Sequence, residues 1–406
     1  MKNKRKIIND PVFGFINIPN DFLYDIIQHR YFQRLNRIKQ LGVASFVYPG
    51  AQHTRFQHSL GALHLTSEAI KELRTKGHEI SEGEANGVMS AILLHDIGHG
   101  PYSHVLENTI IQGVSHEQIS LLLMQKINAE MNGMLNLAIE IFQNCYHKKF
   151  LHQLVSSQLD MDRLDYLRRD SFFTGVVEGN IGSARIIKML DVANDKLVIE
   201  QKGILSIENY LMARRFMYWQ VYLHKTSIAT EIMLIKILER AKQLSENGGE
   251  LFATPSLKFF ISNKINAENF YKIPEILEHF INIDDSDIIS AVKVWASHSD
   301  RILSMLCRNF TDRILFKTKE QEPLTEMQNY DLAKKYSEYF GINMEDAAYF
   351  FCEQTLSSNT YEMKNDQICV LFSDGVLRDI SDISDILNSV ILNRSVQKHF
   401  LYYFKI

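Results

Sequence analysis

Residues 81–100, SEGEANGVMSAILLHDIGHG, constrain the fold of this chain more than any other stretch. Ser81 followed three residues later by Glu84 has capping-box spacing, in which two side chains satisfy the free N–H groups of a helix start. An apolar run follows, and Gly98, Gly100 and Pro101 place the expected helix end near 98–101. The pattern recurs. HSLGALHLTSEAIKELRTK (58–76) puts Leu60, Leu63, Ala69, Ile70 and Leu73 mostly on one helical face. Ser115 with Gln118 opens another capped helix over 115–127. LHQLVSSQLDMDRLDYLRRDSFFTG (151–175) reads as one or two helices stopped by Gly175. With only 7 prolines and 19 glycines, long segments can stay helical. Two β-hairpins are expected: KLVIEQKGILSI (196–207), turning at Lys202–Gly203, and QICVLFSDGVLRDIS (367–381), turning at Ser373–Asp374–Gly375. A long helix from about Glu208 to Leu244 follows the first hairpin. The expected class is all-α with small β-hairpins.

A chain of 406 residues is long for one compact core. SENGGELFATPS (245–256) is polar, carries glycines and ends near a proline, so it marks the expected boundary. It divides residues 1–245, with the metal motifs at 50–170, from a mostly helical 246–406 suited to packing and oligomerisation. Lys and Arg number 44 against 48 Asp and Glu, a net charge of −4, which argues against nucleic acid as the primary partner. No C-x-x-C pair occurs among Cys145, Cys307, Cys352 and Cys369, which argues against a zinc finger or disulfide framework and for free thiols. The basic N-terminus lacks the apolar run of a secretory signal, and no stretch reaches membrane-span length. A cytoplasmic protein without membrane association is expected.

LLHDIGHGPYSH (93–104) carries His95, Asp96, His99 and His104. Imidazoles and carboxylates are the donors that hold hydrolytic divalent metals with a position left for water. Neighbouring residues point apart around a helix, so His95 and Asp96 can meet one ion only beyond a helix end, with ligands from other helices. YPGAQHTRFQHSLG (48–61) offers His53 and His58 near Arg55. LDMDRLDYLRRD (159–170) carries four acids, and Asp162, Tyr166 and Asp170 share one helical face flanked by Arg163 and Arg169. Taken alone, each segment has a plain structural reading: a chance His-Asp pair, a hydrogen-bonding His53, a solvated acidic helix face.

The order His58 … His95-Asp96 … Asp162 resembles the H…HD…D pattern of the HD-domain phosphohydrolases. INDPVFGFI, FQRLNRIKQLG, YPGAQHTRFQHSLG, LLHDIGHGPYSH, SHEQIS and DMDRLDYLRRD are similar to the deoxynucleoside triphosphate triphosphohydrolase branch, across roughly residues 6–240. The resemblance implies an HD-domain helical core. It implies one divalent transition metal per subunit on His58, His95, Asp96 and Asp162. This donor set suits Mn, Fe, Co, Ni or Zn, and Mg only with more waters. It implies cleavage of a dNTP to deoxynucleoside and inorganic triphosphate. Arg55 resembles a phosphate-contacting arginine. His99, His104, His116 and Glu107 resemble the polar group at the α-phosphate, with His116 and Glu107 assigned to proton transfer. Arg163 resembles a basic phosphate contact. Tyr166, Asp170, Gln40 and Leu41 resemble residues lining the sugar, and Arg214 and Tyr222 resemble contacts to phosphate and base.

The same resemblance implies a homo-oligomer, a dimer or tetramer, and a nucleotide activator. Lys6 and Asn9 match the activator pattern; Gln28 and Asn36 depart from its guanine-reading residues. Two other readings stand beside this one: a different HD phosphohydrolase acting on nucleoside monophosphates, cyclic nucleotides or alarmones, and a nucleotide-binding regulator.

Overall fold

The computed structural model describes residues 6–102, 105–106, 109, 111–358, 361, 367–384 and 396–406. A hairpin opens the fold. Strand β1 (Lys6–Asp10) pairs antiparallel with β2 (Gly14–Ile18). Gly14 closes the turn at φ +77°, a conformation that costs glycine little. The Asp10 carboxylate accepts the N–H groups of Val12 and Phe13, each at 2.9 Å. Helix α1 (Asp21–Gln28) follows, capped by the Asn20 side chain.

Two helices carry the centre. In α2 (Arg55–Thr75), Gln57 Oε1 accepts the Thr54 N–H at 2.9 Å. In α3 (Glu82–Leu94), Ser81 and Glu84 form the expected reciprocal cap, at 3.2 and 2.8 Å. Almost every residue of α3 is buried, which explains its apolar run. It ends at Leu94, earlier than expected, so His95 and Asp96 already lie in the turn beyond. Helices α4 (His116–Glu130) and α5 (Met161–Thr174) also bear out the sequence, with Gly175 ending α5 at φ +76°.

The first β-hairpin lies elsewhere than expected. Strand β3 (Leu190–Ala193) pairs with β4 (Lys196–Glu200), and the turn is Asn194–Asp195, at φ +53° and +59°. Two consecutive left-handed residues make the tight turn that suits twisted antiparallel strands. Lys202–Gly203 instead begins α6 (Ile204–Met217). A Cβ on Gly203 would sit 2.5 Å from Ile199 Cγ2, so its glycine serves close packing. The single long helix expected next is broken. A π-helical segment, Tyr218–Tyr222, separates α6 from α7 (Lys225–Glu246).

Beyond α7, helices α8 (Asp285–Trp295), α9 (Arg301–Thr311) and α10 (Glu326–Phe340) precede or join strands β5 (Lys317–Glu320), β6 (Phe351–Ser358), β7 (Cys369–Leu371), β8 (Leu377–Asp379) and β9 (Val396–Tyr403). The expected hairpin at 367–381 is β7–β8, turning through Gly375 at φ +82°. It joins β3–β4 through a parallel β4–β7 pairing, in the order β8-β7-β4-β3. A separate antiparallel sheet runs β5-β9-β6. The fold is therefore mainly helical but not all-α, and residues 246–406 carry more sheet than expected. Strand β9 pairs with segments far away in sequence, so no adjacent turn announces it. Apolar packing is continuous from Ile16 to Tyr402 across both parts. Among the described residues, no helix is long and apolar enough to cross a membrane.

Candidate functional site

Three elements converge on one point. Helix α2 supplies His58, the turn after α3 supplies His95 and Asp96, and the first turn of α5 supplies Asp162. Asp160 caps α5 by accepting the Arg163 N–H at 2.7 Å, which sets the start of that turn. His58 Nε2 lies 3.0 Å from Asp162 Oδ1 and 3.4 Å from His95 Nε2, and His95 Nε2 lies 3.4 Å from Asp162 Oδ1. Asp96 borders the group: its Oδ1 is 3.3 Å from His95 Nε2, and its Oδ2 is 3.8 Å from His58 Nε2. Ligand atoms of His58, His95 and Asp162 all fall within 4.8 Å of one another, close enough for one ion.

The other ring nitrogens are engaged. His58 Nδ1 lies 2.8 Å from Asp165 Oδ2, and His95 Nδ1 lies 2.6 Å from the Ile92 carbonyl. Both rings therefore carry Nδ1–H and aim Nε2 at the shared centre, as metal-binding histidines do. Burial works against a charged His58 ring, yet hydrogen bonds to Asp162 and Asp165 outweigh it and raise its pKa to about 10. Carboxylates at 3.0 and 3.8 Å favour positive charge at Nε2, so the donor set fits a divalent cation. Burial likewise opposes ionisation of Asp96, but His95, His99 and Arg55 hold its carboxyl well below the ordinary range.

The second group, expected at the α-phosphate, is built by close backbone approach. A Cβ on Gly98 would lie 2.1 Å from the His116 carbonyl and 2.3 Å from Ser120 N. Ser120 Oγ accepts the Gly98 N–H at 2.9 Å and donates to the His95 carbonyl at 2.7 Å. This contact docks the start of α4 on the histidine turn and stacks His116 on His99, centroids 3.9 Å apart. His99 Nε2 is 3.2 Å from Asp96 Oδ1. Burial, reinforced by Arg55, keeps the His99 ring neutral, well below its ordinary pKa. His104 and Glu107 lie outside the described residues.

Cations and aromatic rings surround the metal group. Arg55 Nη1 donates to Asp96 Oδ2 at 2.6 Å. Arg163 pairs with Asp160 and donates to the Ser157 carbonyl at 2.6 Å. Arg214 is buried, sits 5.8 Å from the Tyr218 ring centre, and has no hydrogen-bond partner at Nε or Nη1 among the described residues. The π-helical segment sets Tyr222 edge-on to Tyr166, centroids 5.8 Å apart. Such segments often mark functional sites. Asp170 is 1% exposed, with Oδ1 2.7 Å from His53 Nε2 and Oδ2 accepting from Tyr222 OH at 2.8 Å. It orders Tyr222 and His53. Burial pushes the Tyr166 and Tyr222 phenols up, so both keep their protons. Gln40 N donates to the His53 carbonyl at 3.0 Å, which lays Gln40 and Leu41 beside Arg55, and Gln40 Oε1 is buried without a partner among the described residues.

Sequence reasoning passed over Arg34, Asp165 and the pairing of Arg169. Arg34 is buried and donates to the carbonyls of Ile97 and His99, at 3.0 and 2.8 Å, holding the histidine turn. Nothing in the sequence around Arg34 announces that role. Asp165 and Arg169 stand at i, i+4 within the acidic motif, a spacing that was legible.

Residues 55–170 match the HD domain, and residues 181–252 match the HD associated region. A phosphohydrolase from Bacteroides thetaiotaomicron, known from its crystal structure, is 59% identical, with a TM-score of 0.97 over 99% of this chain and 100% of that one. The uncharacterized protein YwfO of Bacillus subtilis is 34% identical over 99% of this chain and 92% of its own length. The deoxynucleoside triphosphate triphosphohydrolase SAMHD1 homolog of Dictyostelium discoideum is 31% identical over 62% of this chain, which spans 52% of that protein. The chain belongs to the HD-domain phosphohydrolase family, and within it is similar to the deoxynucleoside triphosphate triphosphohydrolases.

Proposed function

We propose that this protein hydrolyses deoxynucleoside triphosphates to deoxynucleoside and inorganic triphosphate. The observation that carries the reading is Arg214. A buried guanidinium with two nitrogens unpartnered among the described residues is costly unless an anion completes it. Arg163 is near enough to act on Arg214 electrostatically, and Arg55 is paired with Asp96 at the ligand group, so three cations are available to neutralise phosphate charge. Likeness to the Dictyostelium triphosphohydrolase supports the choice of substrate.

A divalent transition ion on His58, His95, Asp96 and Asp162 would acidify a bound water and offset charge on an α-phosphate oxygen. The chain's own residues do the rest. Arg55, Arg163 and Arg214 bind and orient the triphosphate. Water adds to the α-phosphorus, the bond from phosphorus to the 5′-oxygen breaks, and that oxygen leaves with a proton. His116, stacked on neutral His99, supplies the proton, with Glu107 and His104 assigned to the same group. Tyr166, Tyr222, Asp170, Gln40 and Leu41 shape the nucleoside end of the pocket. A homo-oligomer and a nucleotide activator belong to the same proposal, although Gln28 and Asn36 depart from the guanine-reading pattern.

The test is product analysis. Mn²⁺-loaded protein is incubated with each of the four dNTPs, singly and mixed, with and without GTP, and products are separated by anion exchange. Deoxynucleoside with triphosphate is expected. Diphosphate, monophosphate or no product would overturn the assignment and turn attention to cyclic nucleotides and alarmones.

A further inference from the structure

We infer that Arg169 is a positioning residue for the metal ligand His58, acting through Asp165 and anchored by Asp10 of the N-terminal hairpin. The inference rests on the proposal that His58 holds a metal. His58 Nδ1 and Arg169 Nε both lie 2.8 Å from Asp165 Oδ2, and Arg169 Nη2 donates to Asp165 Oδ1 at 2.9 Å. Arg169 Nη1 donates to Asp10 Oδ2 at 2.7 Å. His58, Asp165 and Arg169 are each 0% exposed, and Asp10 is 7% exposed.

The geometry leaves Asp165 one orientation. A two-pronged guanidinium fixes the carboxylate plane, and the plane fixes where Oδ2 meets the imidazole. The ring can then aim Nε2 only at the centre shared with His95 and Asp162. Lysine could hold one oxygen but not the plane. Arg169 is itself fixed at its far end. Asp10 Oδ2 takes Nη1 while Asp10 Oδ1 closes the hairpin turn on Val12 and Phe13. The Phe13 ring centre lies 5.7 Å from the guanidinium and 5.3 Å from the His64 ring. Space for the pair is kept by Gly61 of α2, where a Cβ would lie 1.8 Å from Asp165 Oδ1 and 2.3 Å from Arg169 Nη2. The Asp10–Arg169 contact of the hairpin thus runs, bond by bond, to the proposed metal ligand.

The test measures Mn²⁺ affinity by electron paramagnetic resonance and the visible absorption of the Co²⁺-loaded protein, with melting of each metal-free protein as the folding control. The variants are Arg169→Lys, Asp10→Asn and, as a control, Arg168→Met. Arg168 stacks on Phe13 and donates to the Val12 carbonyl without touching Asp165. Arg169→Lys should weaken Mn²⁺ binding by about 10–100-fold and shift the Co²⁺ bands. Asp10→Asn should move both readouts in the same direction, and Arg168→Met should move neither. If Arg169→Lys shows no cooperative melt, Asp10→Asn decides, because asparagine keeps the oxygen that closes the turn. Folded variants that bind Mn²⁺ as wild type does, or an Arg168→Met loss as large as theirs, would overturn the positioning role. Wild-type protein that holds no Mn²⁺, or holds it equally after His58→Ala, would overturn the metal assignment instead.

Discussion

Arg55 Nη1 donates to Asp96 Oδ2 at 2.6 Å, while Asp96 Oδ1 lies 3.3 Å from His95 Nε2. One carboxylate therefore faces both the candidate metal ligand His95 and the Arg55 guanidinium. Its two oxygens divide the roles, which is why Asp96 sits at the border of the tightest ligand cluster rather than inside it.

Asp96→Ala removes both roles at once. Bound Mn²⁺ and turnover should fall together, turnover by at least about 100-fold, with the far-UV circular dichroism of the helical fold retained. Metal analysis and steady-state rates on the same preparation check this. Full activity in the variant would contradict the site.

Arg214→Met should separate stability from function. It removes a buried cation with two unpartnered nitrogens and replaces it with an apolar chain of similar length. The substrate-free protein should melt at the same temperature or higher, because an unsatisfied buried charge is gone. KM for a dNTP should rise at least about tenfold, as expected for a lost charge-assisted contact. A lower melting temperature with unchanged KM would make Arg214 a structural residue.

Gly61→Ala places a methyl against the Asp165–Arg169 pair. Both partners are buried and doubly bonded, so neither can swing aside without breaking the pair. A loss of about 3 kcal/mol in unfolding free energy is expected, by denaturant titration. A loss below about 0.5 kcal/mol would show that the pair yields easily.

Asp285 predicts a pH effect away from the metal. Burial raises its carboxyl from 3.8 to about 6, although the Lys39 N–H donates to it at 3.0 Å. A carboxyl raised on folding adds stability at pH values below its unfolded pKa, and that stability is lost as pH climbs through the folded pKa. The fold should therefore lose stability between about pH 4 and pH 6 on account of Asp285. Asp285→Asn keeps the acceptor and removes the charge. Its melting temperature should exceed wild type at pH 8 and match it at pH 4. A gain of equal size at both pH values would contradict ionisation as the cause.

Helices with a local start and stop were legible in the sequence. Ser81–Glu84, Ser115–Gln118 and Gly175 each fix an element with residues a few positions apart. The donors of the metal group were legible because only certain side chains can hold an ion, and the chain sets them in a distinctive order. What the sequence hid was set by partners far away. The hairpin turn falls at Asn194–Asp195 and not at Lys202–Gly203 because Gly203 serves close packing on Ile199, a contact no local pattern encodes. Strand β9 finds both partners only after the chain has folded. Arg34 matters through the Ile97 and His99 carbonyls, and a backbone acceptor leaves no mark on composition. Asp10 and Arg169 meet across most of the HD region, which no local pattern encodes.

The central claim is that water attacks the α-phosphorus and expels the deoxynucleoside. It is tested most directly by turnover of a dNTP in H₂¹⁸O, with ³¹P NMR of the products. The account predicts unlabelled deoxynucleoside and a triphosphate whose ¹⁸O sits on one terminal phosphorus. Label in the deoxynucleoside, or products other than triphosphate, would contradict it.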